Sequence, residues 1–473
     1  MRSIIGVFSM YFIDREIELR FLEERWRSGK AELIIIYGRR GIGKTELIKK
    51  FIDGKKAYYF FVTSEDVNTL LQGFLRVLGK PYSLMKIDNL EDFYLLLAEI
   101  VGGERIVVVF DEFQRLIEAH RGALSLLQKI WDDKLRHTKI FLVLVGSVVG
   151  VLERIGKSYE SPIYGRRTGM LELGELDYWA SRLFFPDYSE YDRSFVYAVL
   201  GGTPLYLSKF DPDKPVEENI RNRILTKGSD LYEEPEILLL QETRDPSAYM
   251  SILKTIASGK TKFSEIADAC GIDREKLPKY LGVLINRLRL IRRVKPLREK
   301  GRSIYEITSN FIRFWFKYVL PNKSLLELGK TDIVLRQIMS ERELYTSAVF
   351  EEISKQFLER LNGDSINGIK IEFHEIGKWW RKEKEIDIVA INTKQKTAYF
   401  CECKWSDKPV KRSTLNNLIA KSEEFGWKKA ERKNIYIIFS KAGFEFEAEE
   451  DVLLIGLDQM RKIAEERFRI QVI

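Results

Sequence analysis

The sequence predicts an α/β protein of several domains, with a core built on a parallel sheet and a second, smaller α/β unit towards the carboxyl end. Three observations predict it. At 473 residues the chain is too long for one compact core. Residues 33–37, 106–110 and 139–145 read as apolar strands, the second an unbroken β-branched and aromatic run with the texture of a strand covered on both faces. From Leu344 a long helical pattern leads into short alternating runs, which marks a separate unit.

Composition sets the class. A hydrophobic fraction of 45% and an aromatic fraction of 12% are those of folded globular protein, and no Pro, Gly or Ser tract suggests a disordered region. Cys270, Cys401 and Cys403 lack any Cys-x-x-Cys spacing and cannot build a disulfide framework, so a reducing cytoplasm is the expected compartment. The apolar opening stretch has no small-residue cleavage site behind it and is expected to be a buried strand. No apolar run reaches the ~20 residues that cross a bilayer, so no membrane role is expected. The net charge of +8 is local. Residues 248–310 hold 14 Lys and Arg against 6 Asp and Glu, which is the whole excess.

The segment ELIIIYGRRGIGKTELIKKF reads as a strand (Leu33–Tyr37), a glycine-rich turn and a helix carrying Leu47, Ile48 and Phe51. Gly38, Arg39, Arg40, Gly41, Ile42, Gly43, Lys44 and Thr45 satisfy G-x-x-x-x-G-K-[ST], with Glu46 following. Such a turn closes backbone N–H groups round phosphate oxygens at a helix N-terminus. Lys44 is expected to reach the β and γ phosphates of ATP or ADP, and Thr45 to place its hydroxyl on Mg²⁺. A second anchor for the ion is expected from Asp111, which ends the apolar run Ile106–Phe110, and Glu112 beside it is expected to orient or deprotonate the attacking water. The third run, 139–145, ends at Gly146-Ser147, and Ser147 is the candidate γ-phosphate sensor, the alternative being a cap for the next helix. Arg166 and Arg167 in SPIYGRRTG are candidates for a guanidinium that meets the transition-state charge.

With these motifs the chain resembles the predominantly archaeal P-loop ATPases placed with the STAND class of signal-transducing NTPases, relatives of the AAA+ origin-recognition ATPases. Phe12-Ile13-Asp14-Arg15-Glu16-Ile17-Glu18-Leu19 is similar to that family's F-x-x-R-E-x-E-L box near the adenine, and Gly202-Thr203-Pro204 to its G-x-P element at the base. The resemblance implies nucleotide contacts at Arg15 and Pro204. It also implies a helical lid and a winged helix whose packing on the ATPase core is switched by ADP and ATP.

The middle of the chain supplies a candidate for that winged helix. SAYMSILKTIASGKTKFSEIADACGIDREKLPKYLGVLINRLRL carries helical periodicity, a turn at Gly271 and a second amphipathic helix, a helix-turn-helix pattern. The hairpin that follows, turning at Gly301, holds Arg292, Arg293, Lys295, Arg298, Lys300 and Arg302. Arg274, Lys276 and Lys279 are expected in a DNA major groove, with Arg292, Arg293 and Arg302 on backbone phosphate. The alternative is a solvated face, or a contact used only inside the switch.

In the terminal unit, Ile386–Ile391 and Ala398–Trp405 read as two strands joined by a turn at 393–396 that pairs Asn392 with Thr397. Counting along this register puts Asp387 opposite Glu402, with Lys404 on the same face and Cys401 and Cys403 on the other. Like charges opposed on a sheet are destabilising, and a divalent ion between them would relieve this. The Asp…Glu-x-Lys arrangement resembles the PD-(D/E)xK nuclease superfamily, with Ile386 where many members have Pro. The resemblance implies Mg²⁺ on Asp387 and Glu402, help from a helix-borne acid (Glu351, or Glu352 as the alternative), and Lys404 positioning the water that attacks phosphodiester. The alternative is an exposed salt bridge of Lys404 to Glu402 or Asp387. Trp379, Trp380 and Trp405 are expected in the core rather than stacked on bases.

The expected organisation is therefore a P-loop ATPase core at 1–175, a helical lid at 176–240, a winged helix-turn-helix at 241–320, a linker at 321–343 and a restriction-endonuclease-like α/β domain at 344–473. DNA is the expected partner, and the sequence is compatible with self-association.

Overall fold

The computed structural model describes residues 12–63 and 65–470. The opening stretch expected as a buried strand lies almost wholly outside them. The described chain divides into two compact units, one of residues up to Glu175 with Asn286–Arg289, the other of Leu176–Ile285 and Leu290–Ile470.

The first unit is built on a parallel sheet of β1 (Glu32–Tyr37), β2 (Ala57–Phe61), β3 (Ile106–Asp111), β4 (Ile140–Gly146) and β5 (Gly169–Glu172), in the order β2-β3-β4-β1-β5. Every residue of β1, β3 and β4 is buried, as their unbroken apolar runs predict. One face packs Phe60, Phe74, Phe93 and Phe110 into an aromatic cluster. The other is closed by Leu47, Ile48 and Phe51 of the helix Lys44–Ile52. Because the strands are parallel, β1, β3 and β4 all end at one edge, and that edge collects Gly38, Asp111 and Gly146.

The second unit opens with helices that include Glu190–Leu200 and Glu234–Glu242. Three further helices, Pro246–Ala257, Phe263–Cys270 and Leu277–Gly282, precede an antiparallel hairpin of β6 (Ile291–Val294) and β7 (Ile304–Ile307). Gly271 ends the second helix in the left-handed conformation, φ 62°, as the expected turn requires. Residues 321–343, expected as a linker, instead carry the helices Lys323–Glu327 and Thr331–Ser340, which bury Leu326, Val334, Leu335 and Ile338. The apolar period was there to be read, but charged neighbours diluted it.

The helix Arg342–Arg360 then leads through the short ladder β8 (Ser365–Ile366) and β9 (Ile369–Lys370) into a mixed sheet of β10 (Glu375–Arg381), β11 (Lys384–Asn392), β12 (Thr397–Lys404), β13 (Lys433–Ser440) and β14 (Val452–Gly456). The pairs β10–β11–β12 are antiparallel and β12–β13–β14 parallel. Asn392 pairs with Thr397, as the turn length predicts. Trp379 and Trp405 are buried and Trp380 is half-buried. Among the described residues no helix is long and apolar enough to cross a membrane.

Candidate functional sites

Gly38–Thr45 leaves β1 and enters its helix through Gly43, whose φ of 91° suits only glycine without strain. Lys44 is buried and folds back on the loop, donating to the carbonyls of Gly38 and Arg39 at 2.8 Å each. Burial pulls its ammonium down to about 8, against the opposing charges of Glu112 and Asp111. Arg15 lies under the loop. Its guanidinium donates to the carbonyl of Ile42 at 3.1 Å and of Gly174 at 2.8 Å, and pairs with Glu18 at 3.0 Å. Arg39 pairs with Glu175 at 3.1 Å and Glu46 with Lys49 at 2.9 Å, while Arg40 is exposed.

Thr45 Oγ1 donates to Asp111 Oδ2 at 3.1 Å, so the loop and β3 meet across β4. The same oxygen accepts from the Tyr59 hydroxyl, and Oδ1 accepts the Glu112 N–H at 2.9 Å. Burial, then Asp111, holds the Tyr59 phenol well above its ordinary range, so it is a neutral donor. Glu112 has a left-handed backbone, φ 57°. Its Oε1 accepts from Ser147 Oγ at 2.6 Å and its Oε2 from the Gln114 amide. Ser147 therefore faces Glu112. It does not cap the next helix, Val149–Lys157, whose N-cap residue is Val148.

A second cluster lies where β11 and β12 part. Their ladder stops at Ile388↔Cys401, and Asp387 Oδ2 accepts the Cys403 N–H at 2.8 Å. Glu402 is buried, with Lys404 Nζ on Oε1 at 2.6 Å and Lys421 Nζ on Oε2 at 3.0 Å. Glu351, on the helix Arg342–Arg360, accepts from Lys378 at 3.0 Å. Asp387 is pushed up to about 7, first by burial and then by the charges of Glu351 and Glu402. Burial also raises Glu351, although Lys378 opposes it. For Lys404 burial pulls the ammonium down, but the bond to Glu402 together with the charges of Glu402 and Asp387 leaves it above its ordinary value. Among the described residues no group of three or more His, Cys, Asp or Glu side chains is arranged to hold a metal ion.

Residues 12–210 match the family model described as an ATPase domain predominantly from Archaea, and residues 315–418 a model of archaeal and bacterial proteins of unknown function. An uncharacterized protein of Methanocaldococcus jannaschii is 34% identical over 457 residues, which is 94% of this chain and 99% of that protein. The chain belongs to this archaeal ATPase family. An uncharacterized ATP-binding protein of the same organism is 60% identical over 45 residues, 10% of this ATPase and 76% of that protein. Among solved structures, a Walker-type ATPase of Pyrococcus abyssi is 24% identical, covering 64% of this chain and 95% of that one, at a TM-score of 0.49. The ORC2 protein of Aeropyrum pernix, with ADPNP and ADP, is 17% identical and covers 69% and 93%, at 0.42. This ATPase is an ATP-hydrolysing enzyme.

Several expected placements need correction. Arg166 and Arg167 are not brought to the edge that holds Lys44 and Asp111. They lead into β5, whose pairing with β1 begins at Ile34↔Gly169, so they sit at the amino edge of the sheet while the loop leaves the carboxyl edge. There Arg166 is held by Asp132 at 2.7 Å and Arg167 by the Gly156 carbonyl. Strict alternation along β11 also fails. The register shifts between Gly377↔Val389 and Trp379↔Ile386, and Ile386 and Val389 belong to one buried cluster, so Asp387 stands at a bulge. It is not insulated from the cysteine face, since burial and then Asp387 raise both the Cys401 and Cys403 thiols. Arg292 is bound by Glu306 at 3.0 Å and Glu352 at 3.5 Å. Arg274 and Lys276 pair with Asp268 and Asp273, each at 3.0 Å, and Lys279, Arg293 and Arg302 are exposed. Pro204 opens the short helix Pro204–Leu207 in the second unit.

The sequence reading missed Tyr59, Gln114, Lys378 and Lys421. Gln114, two residues beyond Glu112, and Tyr59, a hydroxyl within an apolar strand, left a signal in polarity. The lysines left none, because Lys378 comes from a strand and Lys421 from the helix Arg412–Ser422, whose neighbours only the tertiary packing reveals.

Proposed function

We propose that this ATPase is a nucleotide-controlled protein acting on DNA, in which hydrolysis at the loop governs a metal-dependent nuclease-like terminal domain. In the ATPase unit, the loop N–H groups of Gly38–Thr45 cradle the phosphates and Lys44 turns from its own carbonyls to the β and γ oxygens. Thr45 and Asp111 offer hard oxygen donors 3.1 Å apart, a set that suits Mg²⁺. The ion would supply charge neutralisation at the phosphates. Glu112 orients or deprotonates the attacking water, and Ser147, hydrogen-bonded to it, senses the γ-phosphate.

The observation that carries the nuclease reading is Asp387, a carboxyl pushed up to about 7 by burial, Glu351 and Glu402, where the β11–β12 ladder ends beside Lys404. Carboxyls whose charges raise one another in this way are ones whose repulsion a divalent cation would relieve. Asp387 and Glu402 would hold Mg²⁺, which would polarise the phosphodiester. Glu351 supports them, and Lys404 positions the water. The helices Pro246–Ala257, Phe263–Cys270 and Leu277–Gly282 with the β6–β7 hairpin are read as the winged helix, delivering DNA through Arg274, Lys276, Lys279, Arg293 and Arg302.

A second reading, a nucleotide-dependent signalling or assembly switch whose terminal domain only binds a partner, is favoured by one feature. Both oxygens of Glu402 are already neutralised, by Lys404 and Lys421. Cleavage of plasmid and single-stranded DNA with Mg²⁺ or Mn²⁺ separates the two. The nuclease reading expects wild type to cut, Glu402→Ala not to cut, and Glu402→Ala to keep its ATPase, whereas Lys44→Ala loses it. Equal background from wild type and Glu402→Ala removes the nuclease. DNA affinity should fall steeply with salt, with a shallower slope in Arg293→Ala with Arg302→Ala, and a flat response would favour the partner switch.

A further inference from the structure

Asp111 holds three donors, and two of them share one oxygen. Oδ1 accepts the Glu112 N–H, while Oδ2 accepts both the Thr45 and Tyr59 hydroxyls. A carboxylate oxygen offers two lone pairs, so Oδ2, the atom turned to the loop, has none left. The two hydroxyls are not equivalent. Thr45 can donate its proton to Asp111 and still give a lone pair to a cation. A water carried by that cation, however, needs the very lone pair that Tyr59 fills.

The register explains how the phenol arrives there. β2 and β3 are parallel neighbours with Tyr59 beside Val109 and Phe61 beside Asp111. Val109 and Asp111 share a face, so Tyr59 stands one same-face step before Asp111. That step is ~6.6 Å along a strand, within the span of a tyrosyl side chain. The ring is half-buried, which fixes the direction in which the hydroxyl points.

We propose that Tyr59 is a built-in competitor of magnesium at Asp111, and so sets the concentration of the cation that this ATPase requires. The inference rests on the reading that Asp111 anchors the ion. When the cation arrives the phenol gives up its hydrogen bond, and in the cation-free enzyme it keeps the carboxylate turned to Thr45. A hydrogen bond to a charged group is a cost that the incoming ion must meet, so its loss should be visible in binding.

Tyr59→Phe removes only the oxygen and keeps the packed ring. Calorimetric ADP affinity is compared with Mg²⁺ and with EDTA, alongside the Mg²⁺ concentration for half-maximal hydrolysis. We expect the gain in ADP affinity from Mg²⁺ to rise roughly tenfold and the half-maximal Mg²⁺ to fall by the same factor, with affinity in EDTA unchanged. An unchanged or smaller gain from Mg²⁺ overturns the proposal. Asp111→Asn distinguishes the two levels. If it keeps the wild-type gain from Mg²⁺, the anchor reading itself fails. If it loses that gain while Tyr59→Phe matches wild type, only the role of Tyr59 fails.

Discussion

Glu112 is held on both oxygens, by Ser147 at 2.6 Å and by Gln114, on a backbone at φ 57° that a side chain rarely adopts. Two donors fix the direction of the carboxylate, which suits a group that must orient water before it takes a proton. Glu112→Gln should keep nucleotide affinity and lower kcat by roughly 10²–10⁴-fold, checked by calorimetry and a steady-state assay. Asp387 allows a pH test. Its carboxyl is raised to about 7, so between its ordinary range and 7 the folded chain binds a proton that the unfolded chain has released. That contribution to stability is complete at low pH and is lost as pH rises through 7. Asp387→Asn, which cannot ionise, should gain on wild type in melting temperature across this window and stand above it at pH 8. A constant difference between the two melting curves would contradict the shift. Both acids were legible in the sequence as residues, but the donors each one meets were not, the Gln114 amide and Ser147 hydroxyl on Glu112 and the Cys403 N–H on Asp387, because hydrogen-bond geometry has no periodicity.

At the scale of elements, glycine marks where two backbones or side chains must approach. A Cβ at Gly202 would stand 1.6 Å from the Leu176 carbonyl oxygen, and the Leu176 N–H in turn bonds to the Gly202 carbonyl at 2.9 Å. Gly202→Ala should therefore destabilise the second unit by about 2–4 kcal/mol, read as an earlier denaturant midpoint for that unit. At Gly146 a Cβ would meet Gln114 Oε1 at 2.4 Å and Leu152 at 2.6 Å. Gly146→Ala should displace Gln114 from Glu112 and lower kcat with little effect on KM. The strands themselves were the most legible elements. Unbroken apolar runs can be buried only between two layers, and a four-residue turn with a period of two fixed Asn392 against Thr397. The alternation failed only at Asp387, where the bulge answers to β10, a strand no local rule ties to that position.

For the whole molecule, two compact units predict two cooperative steps on heating. ADP with Mg²⁺ binds residues of the first unit in the proposed function, so it should raise that transition most, with a smaller rise of the second recorded beside it by scanning calorimetry. A second transition left in place would mean that the nucleotide is not read by the second unit and would count against nucleotide control of the terminal domain. By itself the sequence determined the loop, the acidic pair after it, the parallel sheet and the Asp…Glu-x-Lys strands, because each is a matter of residue type, spacing and burial within a few neighbours. Only the tertiary structure decided which edge of the sheet receives a side chain and which partners neutralise it. Strand direction put Arg166 and Arg167 at the far edge from Lys44, strand order brought Tyr59 to Asp111, and the packing of the helix Arg412–Ser422 on the sheet set Lys421 on Glu402. These outcomes depend on how elements distant in the chain are arranged in space, and that arrangement follows from the packing of whole faces, which local spacing does not encode.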